Sequence, residues 1–219
     1  MKRFECLRCD ECCTFRGERE WPVVLAHEVE LLRSLAKIVG LELNFVPLAW
    51  PFLSWKIEGT CPFYDPQRKA CTIHELKPIA CKMFPLLLDM GSMTLYASGA
   101  CKWVRDNADV IGSIVDERDI ERIFPLEYGG LKELLIVHEA YRRCEPVVVA
   151  LWRKGPGHFR CSEACRRCVV AREGEVEVAG GVSGAVVVGC TAEEVRTSLG
   201  NVDLVSIAEV RGCGTNSSG

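Results

Sequence analysis

The sequence predicts an α+β fold in three parts: a small, loop-rich, metal-centred N-terminal cysteine-cluster domain with helices, a helical segment, and a small α/β unit. Three observations predict it. The 14 cysteines are unevenly spread, eight of them within residues 1–101 and five within 161–213. Apolar residues recur at helical spacing over 23–39 and 131–143, but in short extended runs around 86–97 and beyond 175. Prolines and glycines break up the stretches between. The expected boundaries are 1–112, 113–157 and 158–219, and a chain of 219 residues is long enough for one large domain or two small ones.

The elements follow in order. After a cysteine loop, Val24, Leu25, Leu31, Leu32, Leu35 and Ile38 form one broad helical face, and Gly40 stops that helix. Pro47 and Pro51 turn residues 41–60 into extended segments and turns. Pro78 starts a short helix that carries Cys81 toward Pro85. Residues 86–89 and 94–97 read as a hairpin around Gly91 and Ser92. Residues 102–143 read as two or three helices, the clearest over 131–143 with Leu131, Leu134, Leu135, His138 and Tyr141 near one face. Residues 175–179 and 185–188 are β-like and joined through Gly180, Gly181 and Gly184. Thr191 caps a helix through Leu199. Residues 202–210 are strand-like, and the tail is polar and expected to be disordered.

Charge and hydropathy narrow the classes. The formal net charge of −3 gives no electrostatic footprint for nucleic acid or an anionic membrane. No apolar run reaches the ~18–20 residues of a transmembrane helix, and no signal-peptide core follows the basic pair Lys2–Arg3. The expected compartment is the cytoplasm, where cysteine-rich segments hold metal or do redox chemistry rather than forming disulfides. Hyperthermophile proteins break that rule. The abundance of Val, Glu and Arg and the scarcity of Gln and Asn agree with such a habit, so disulfides stay open for some of the cysteines.

Cys6, Cys9 and Cys12 are spaced CxxCxxC, and Cys13 follows at once. Two intervening residues let one tight turn aim two sulfurs at one ion, as in zinc knuckles and iron–sulfur loops. Thiolates are soft ligands that select zinc, Cu(I) or iron–sulfur over magnesium or calcium. The charged surroundings, ECLRCDECC, do not read as core. Neighbouring side chains on an extended backbone point opposite ways, so one of Cys12 and Cys13 is expected at a first site and the other at a second site or in another role. With Cys61, Cys71, Cys81 and Cys101 the region holds eight thiols, enough for two four-sulfur sites or for one site with thiols to spare.

These residues resemble the YkgJ-type cysteine-cluster family, a group described as zinc- or iron-chelating. The resemblance rests on Cys6, Cys9, Cys12 and Cys13, then Cys61, Phe63, Cys71, Ile73, Glu75, Pro78, Cys81, Phe84 and Pro85, then Cys101. The chain departs from the pattern with His74 for an aromatic residue and with Lys77 and Lys82 for arginines, which keeps the charge and loses the bidentate fork. The resemblance covers roughly residues 5–103 and implies a cysteine-bound metal cluster. Members include a flagellin lysine N-methylase, which implies a methyltransferase using S-adenosylmethionine as an alternative, although no glycine-rich loop follows a strand here.

Lys77 and Lys82 either offset thiolate charge or are ordinary surface lysines, and His74 reads as a surface or capping residue before a ligand. Glu28 and Glu30 read as a solvated helix face, and Trp50, Trp55 and Trp103 as packing around the metal region. Cys144 reads as a partly buried helix-end thiol.

Cys161, Cys165 and Cys168 are spaced CxxxCxxC, the spacing of radical-SAM clusters, but too little chain follows for a ~200–250-residue barrel. A four-cysteine site with Cys190, or with Cys213 in its place, competes with disulfides. The expected function is thus a metal-binding protein holding an iron–sulfur cluster, [4Fe–4S] by preference, with a structural or redox role and a protein redox partner or substrate. A zinc-stabilised interaction module is the alternative, and neither nucleic acid nor membrane is expected as a partner.

Overall fold

The computed structural model describes residues 2–153, 159, 168–176 and 181–212. It is α+β, with helices and small open sheets. Contacts group the chain into two units that the linear boundaries near 112 and 157 do not trace, because each is assembled from separate stretches.

The first unit comprises Met1–Pro22, Ile57–Cys71 and Lys77–Leu134. Its strands are minimal: Thr14–Phe15 pairs with Gly59–Thr60, and Tyr64–Asp65 with Ala70–Cys71. Leu86–Asp89 and Thr94–Ala97 form the expected hairpin. The Asp89 carboxylate accepts the amides of Gly91 and Ser92, which fixes the turn. The apolar core lies among the helices Lys102–Asp106, Glu117–Ile123 and the start of Pro125–Arg142. There Phe4, Trp103 and Phe124 pack as mutual aromatic neighbours, with centroids 5.2–5.8 Å apart. Residues 102–142 contain four helices where two or three were expected, because Ala108–Gly112 and Glu117–Ile123 are separate.

The second unit comprises Val23–Lys56, Thr72–Leu76 and Leu135–Gly219. A four-stranded antiparallel sheet runs Val169–Val176, Val182–Val188, Val147–Arg153, Leu204–Val210 in spatial order. Val147–Arg153 was not expected as a strand. It is central and six of its seven residues are buried, so it shows a continuous apolar run rather than an alternation. Val148, Ala150 and Trp152 join Ala185, Val187, Cys190 and Val195 in one core cluster. The helix Ala26–Ile38 also packs on this strand. The expected helix start at residue 23 is instead the strand Val23–Leu25, held by its ladder to Phe52–Lys56. Helix Ala192–Leu199 begins at the expected cap, Thr191, as a reciprocal box with Glu194.

The same unit buries an ion pair. Glu28, read from sequence as solvated, is fully buried, and its carboxylate accepts from the Leu25 amide and from the Arg172 guanidinium at 2.7 Å. Arg172 sits where the register slips between Val170 and Arg172, and its second nitrogen donates to the Leu76 carbonyl. The slip re-aims the side chain, as bulges do. Gly174 lies under the His74–Leu76 turn, where a Cβ would come within 2.3 Å of the Glu75 side chain.

Candidate metal centre

Every cysteine from Cys6 to Cys101 belongs to the first unit and is a thiol outside any disulfide. Short backbone devices set them in place. Arg8 and Asp10 both have positive φ, 51° and 61°, so the chain kinks on either side of Cys9. Asp10 then opens a single 3₁₀ turn, Glu11–Cys13, closed by the Cys13 amide donating to the Asp10 carbonyl at 2.8 Å. The Cys61 amide donates to the Cys13 carbonyl at 2.7 Å, at the end of the Thr14–Thr60 ladder. Cys71 faces Tyr64 in the next ladder, and the Tyr64 amide donates to the Cys61 carbonyl. Cys81 rides on the helix Ile79–Met83 behind Pro78, as expected. Cys101 starts the helix Lys102–Asp106 and is buried.

The thiols feel one another. Burial pushes Cys61 up to about 12, and Cys81 and Cys101 are also held above the ordinary thiol value by burial. Cys12 is lowered to about 7, chiefly by its hydrogen bond with Cys13, whose own value is raised by the same contact. The charges of Cys61 and Cys81 also act on Cys13, and those of Cys9 and Cys12 on Cys101. Desolvated like charges of this kind are stable together only as thiols or around a cation. Among the described residues, no three His, Cys, Asp or Glu side chains are already gathered to hold a metal ion. The donor set itself, soft sulfur throughout, fits zinc or iron.

Three ion pairs support these segments, and the sequence reading missed two of them outright. Arg105 donates to both carboxylate oxygens of Glu11 and to the carbonyls of Gly99 and Ala100. It thereby ties the Cys12–Cys13 turn to the residues just before Cys101. Lys102 pairs with Asp106 along its own helix. Lys82, read as either a counter-charge for thiolates or a surface lysine, binds Glu133 at 2.6 Å. Gly130, one turn earlier on that helix, lies against Cys81's helix: a Cβ there would meet the Met83 amide at 3.0 Å. The Lys77 charge acts to lower Cys12 and, against the larger effect of burial, Cys81. No spacing rule links Glu11 to Arg105, 94 residues apart, so the sequence carried no signal for that contact.

The other expected residues fall elsewhere. His74 is exposed, in the Thr72–Leu76 stretch of the second unit. Trp103 packs in the first unit, whereas Trp55 is buried in the second and Trp50 is 57% exposed there. Cys168 and Cys190 are disulfide-bonded, and Cys190 is fully buried. A disulfide sulfur has no thiolate charge to give a metal. Of the two outcomes left open for these cysteines, the structure has the disulfide. Cys144 is also disulfide-bonded rather than a thiol. It takes a positive φ of 60° just past the helix end, where Cys144 and Glu145 donate to Tyr141 and Ala140. Cys161, Cys165 and Cys213 lie outside the described residues.

A thiol-rich unit of short paired segments has the soft-sulfur donor set of a metal-chelating domain. Comparison with known families agrees: residues 5–106 match the model named CxxCxxCC, whose description is "Putative zinc- or iron-chelating domain". Over those residues, a little under half of the chain, it is similar to the CxxCxxCC family. No curated protein and no solved structure matches the chain significantly. Among the described residues, no helix is long and apolar enough to cross a membrane.

Proposed function

We propose that the first unit is a thiolate-ligated metal module in which an iron–sulfur centre, held by cysteines from the set Cys6, Cys9, Cys12, Cys13, Cys61, Cys71, Cys81 and Cys101, organises the fold and serves a structural or redox role. One observation carries this reading: all eight of these cysteines are thiols grouped in one unit, whereas the described cysteines from Cys144 onward are disulfide-bonded. Eight thiols exceed the four that a closed zinc site needs. When bound, the centre would cross-link the short strand pairs, and an iron–sulfur centre would also accept an electron from a protein partner.

A zinc-stabilised interaction module is the second reading. The Cys12–Cys13 sulfur separation of 3.9 Å favours it, because that spacing suits two ligands on one tetrahedral ion. Anaerobic purification followed by metal and sulfide analysis tests both. Iron with matching sulfide supports the first reading. Zinc without sulfide replaces it with the second, and neither metal overturns both.

A further inference from the structure

We infer that Cys12 and Cys13, adjacent in sequence, bind the same metal ion as a two-sulfur chelate. The inference rests on the metal-module reading above and narrows it at one place. On an extended backbone two neighbouring side chains diverge. Here they do not, because Glu11–Cys13 is one turn of 3₁₀ helix, entered through the left-handed Asp10 and left through the extended Thr14. Such a turn has about three residues, so successive side chains point only ~120° apart and two short ones can converge. The two Sγ atoms stand 3.9 Å apart.

That distance has a chemical meaning. Sulfurs bind zinc at about 2.3 Å, and at a tetrahedral angle two of them on one ion lie about 3.8 Å apart. The pair therefore already forms one edge of a sulfur tetrahedron, with two of the four positions set before the ion arrives. Cys61, whose amide is bonded to the Cys13 carbonyl, and Cys81 are the further cysteines whose charges act on Cys13.

The consequence separates metal types. A tetrahedral zinc or mononuclear iron site takes two or more cysteines on one metal, and so does each iron of a [2Fe–2S] cluster with four cysteines. A [4Fe–4S] cluster held by four cysteines takes one per iron, so two of its cysteines sit on different metals. A shared ion at Cys12 and Cys13 thus excludes that cluster as the occupant of this pair.

The 24.4 kDa chain, purified anaerobically and loaded with cadmium-113 in place of its native metal, permits a direct reading by proton–cadmium correlation NMR. The expected result is a single cadmium resonance that couples to the β-protons of both Cys12 and Cys13. Coupling of the two residues to two different cadmium resonances, or of only one residue to any, overturns the inference and leaves the metal-module reading standing. A chain that takes up no cadmium overturns both. Cys12→Ser and Cys13→Ser give a second reading by native mass spectrometry: each is expected to lose the same single ion, leaving equal remainders. Unequal remainders contradict a shared ion.

Discussion

The two units solve the problem of holding a chain together by different chemistry. The second unit buries a continuous apolar layer: the Val147–Arg153 strand at the centre of its sheet, the Val182–Val188 strand beside it, and the helix Ala26–Ile38 packed upon it. Such burial stabilises at roughly 25 cal/mol per Å² of apolar area. Its described cysteines are locked in disulfides. The cysteine-bearing ladders of the first unit have strands of only two residues. Two-stranded pairs of that length are marginal in water. Cross-linking through sulfur must come from elsewhere, and thiols kept out of disulfides are available to supply it through metal.

Metal removal should separate the units most sharply. Thiolate zinc sites contribute about 10–16 kcal/mol in small modules. Anaerobic chelation is expected to abolish amide protection in the Thr14–Thr60 and Tyr64–Cys71 ladders while the four-stranded sheet of the second unit stays protected. Hydrogen exchange read by mass spectrometry checks this, and equal loss in both units would break the comparison.

A smaller effect belongs to the second unit alone. Arg172→Met leaves the Glu28 carboxylate buried without its guanidinium, which typically costs about 3–5 kcal/mol. Urea unfolding followed at the sheet should show that loss. The double variant E28Q/R172M should recover most of it, since both charges are then gone. In the first unit, Gly130→Val presses a branched side chain onto the backbone of Met83 and is expected to cost about 1–3 kcal/mol. Denaturation of the metal-loaded protein measures it, and an unchanged midpoint would show that this helix does not brace Cys81.

The smallest effect lies at the cap of Ala192–Leu199. Thr191→Ala should remove about 1 kcal/mol. The Thr191 amide and hydroxyl hold the Glu194 carboxyl below its ordinary value. Its contribution is therefore fully present above the unfolded carboxylate range, near ~4.3, and is lost as pH falls through the lower folded value. A pH series of unfolding curves should show that acid sensitivity in the wild type and its reduction in Thr191→Ala.

Local chemistry was legible in the sequence and distant pairing was not. The hairpin at Leu86–Asp89 and Thr94–Ala97 and the cap at Thr191 were readable because their signals lie within a few residues. Val147–Arg153 was missed because a strand buried on both faces shows no alternation and followed a helical segment directly. Glu28 was misread because its partner, Arg172, lies 144 residues away and is turned inward by a register slip. In the candidate site, the spacing of Cys6, Cys9, Cys12 and Cys13 marked the candidate ligands. The convergence of Cys12 and Cys13 was hidden by the assumption of an extended backbone where the chain makes a 3₁₀ turn. Arg105, which ties that turn toward Cys101, had no sequence signal.

The most direct test of the account is cysteine alkylation mapped by mass spectrometry on the anaerobic full chain, before and after chelation and without reductant. The account predicts that thiols among Cys6, Cys9, Cys12, Cys13, Cys61, Cys71, Cys81 and Cys101 are protected while metal is bound and react once it is removed. It predicts that Cys144, Cys168 and Cys190 resist in both states. Equal alkylation of the N-terminal set with and without chelation would contradict it.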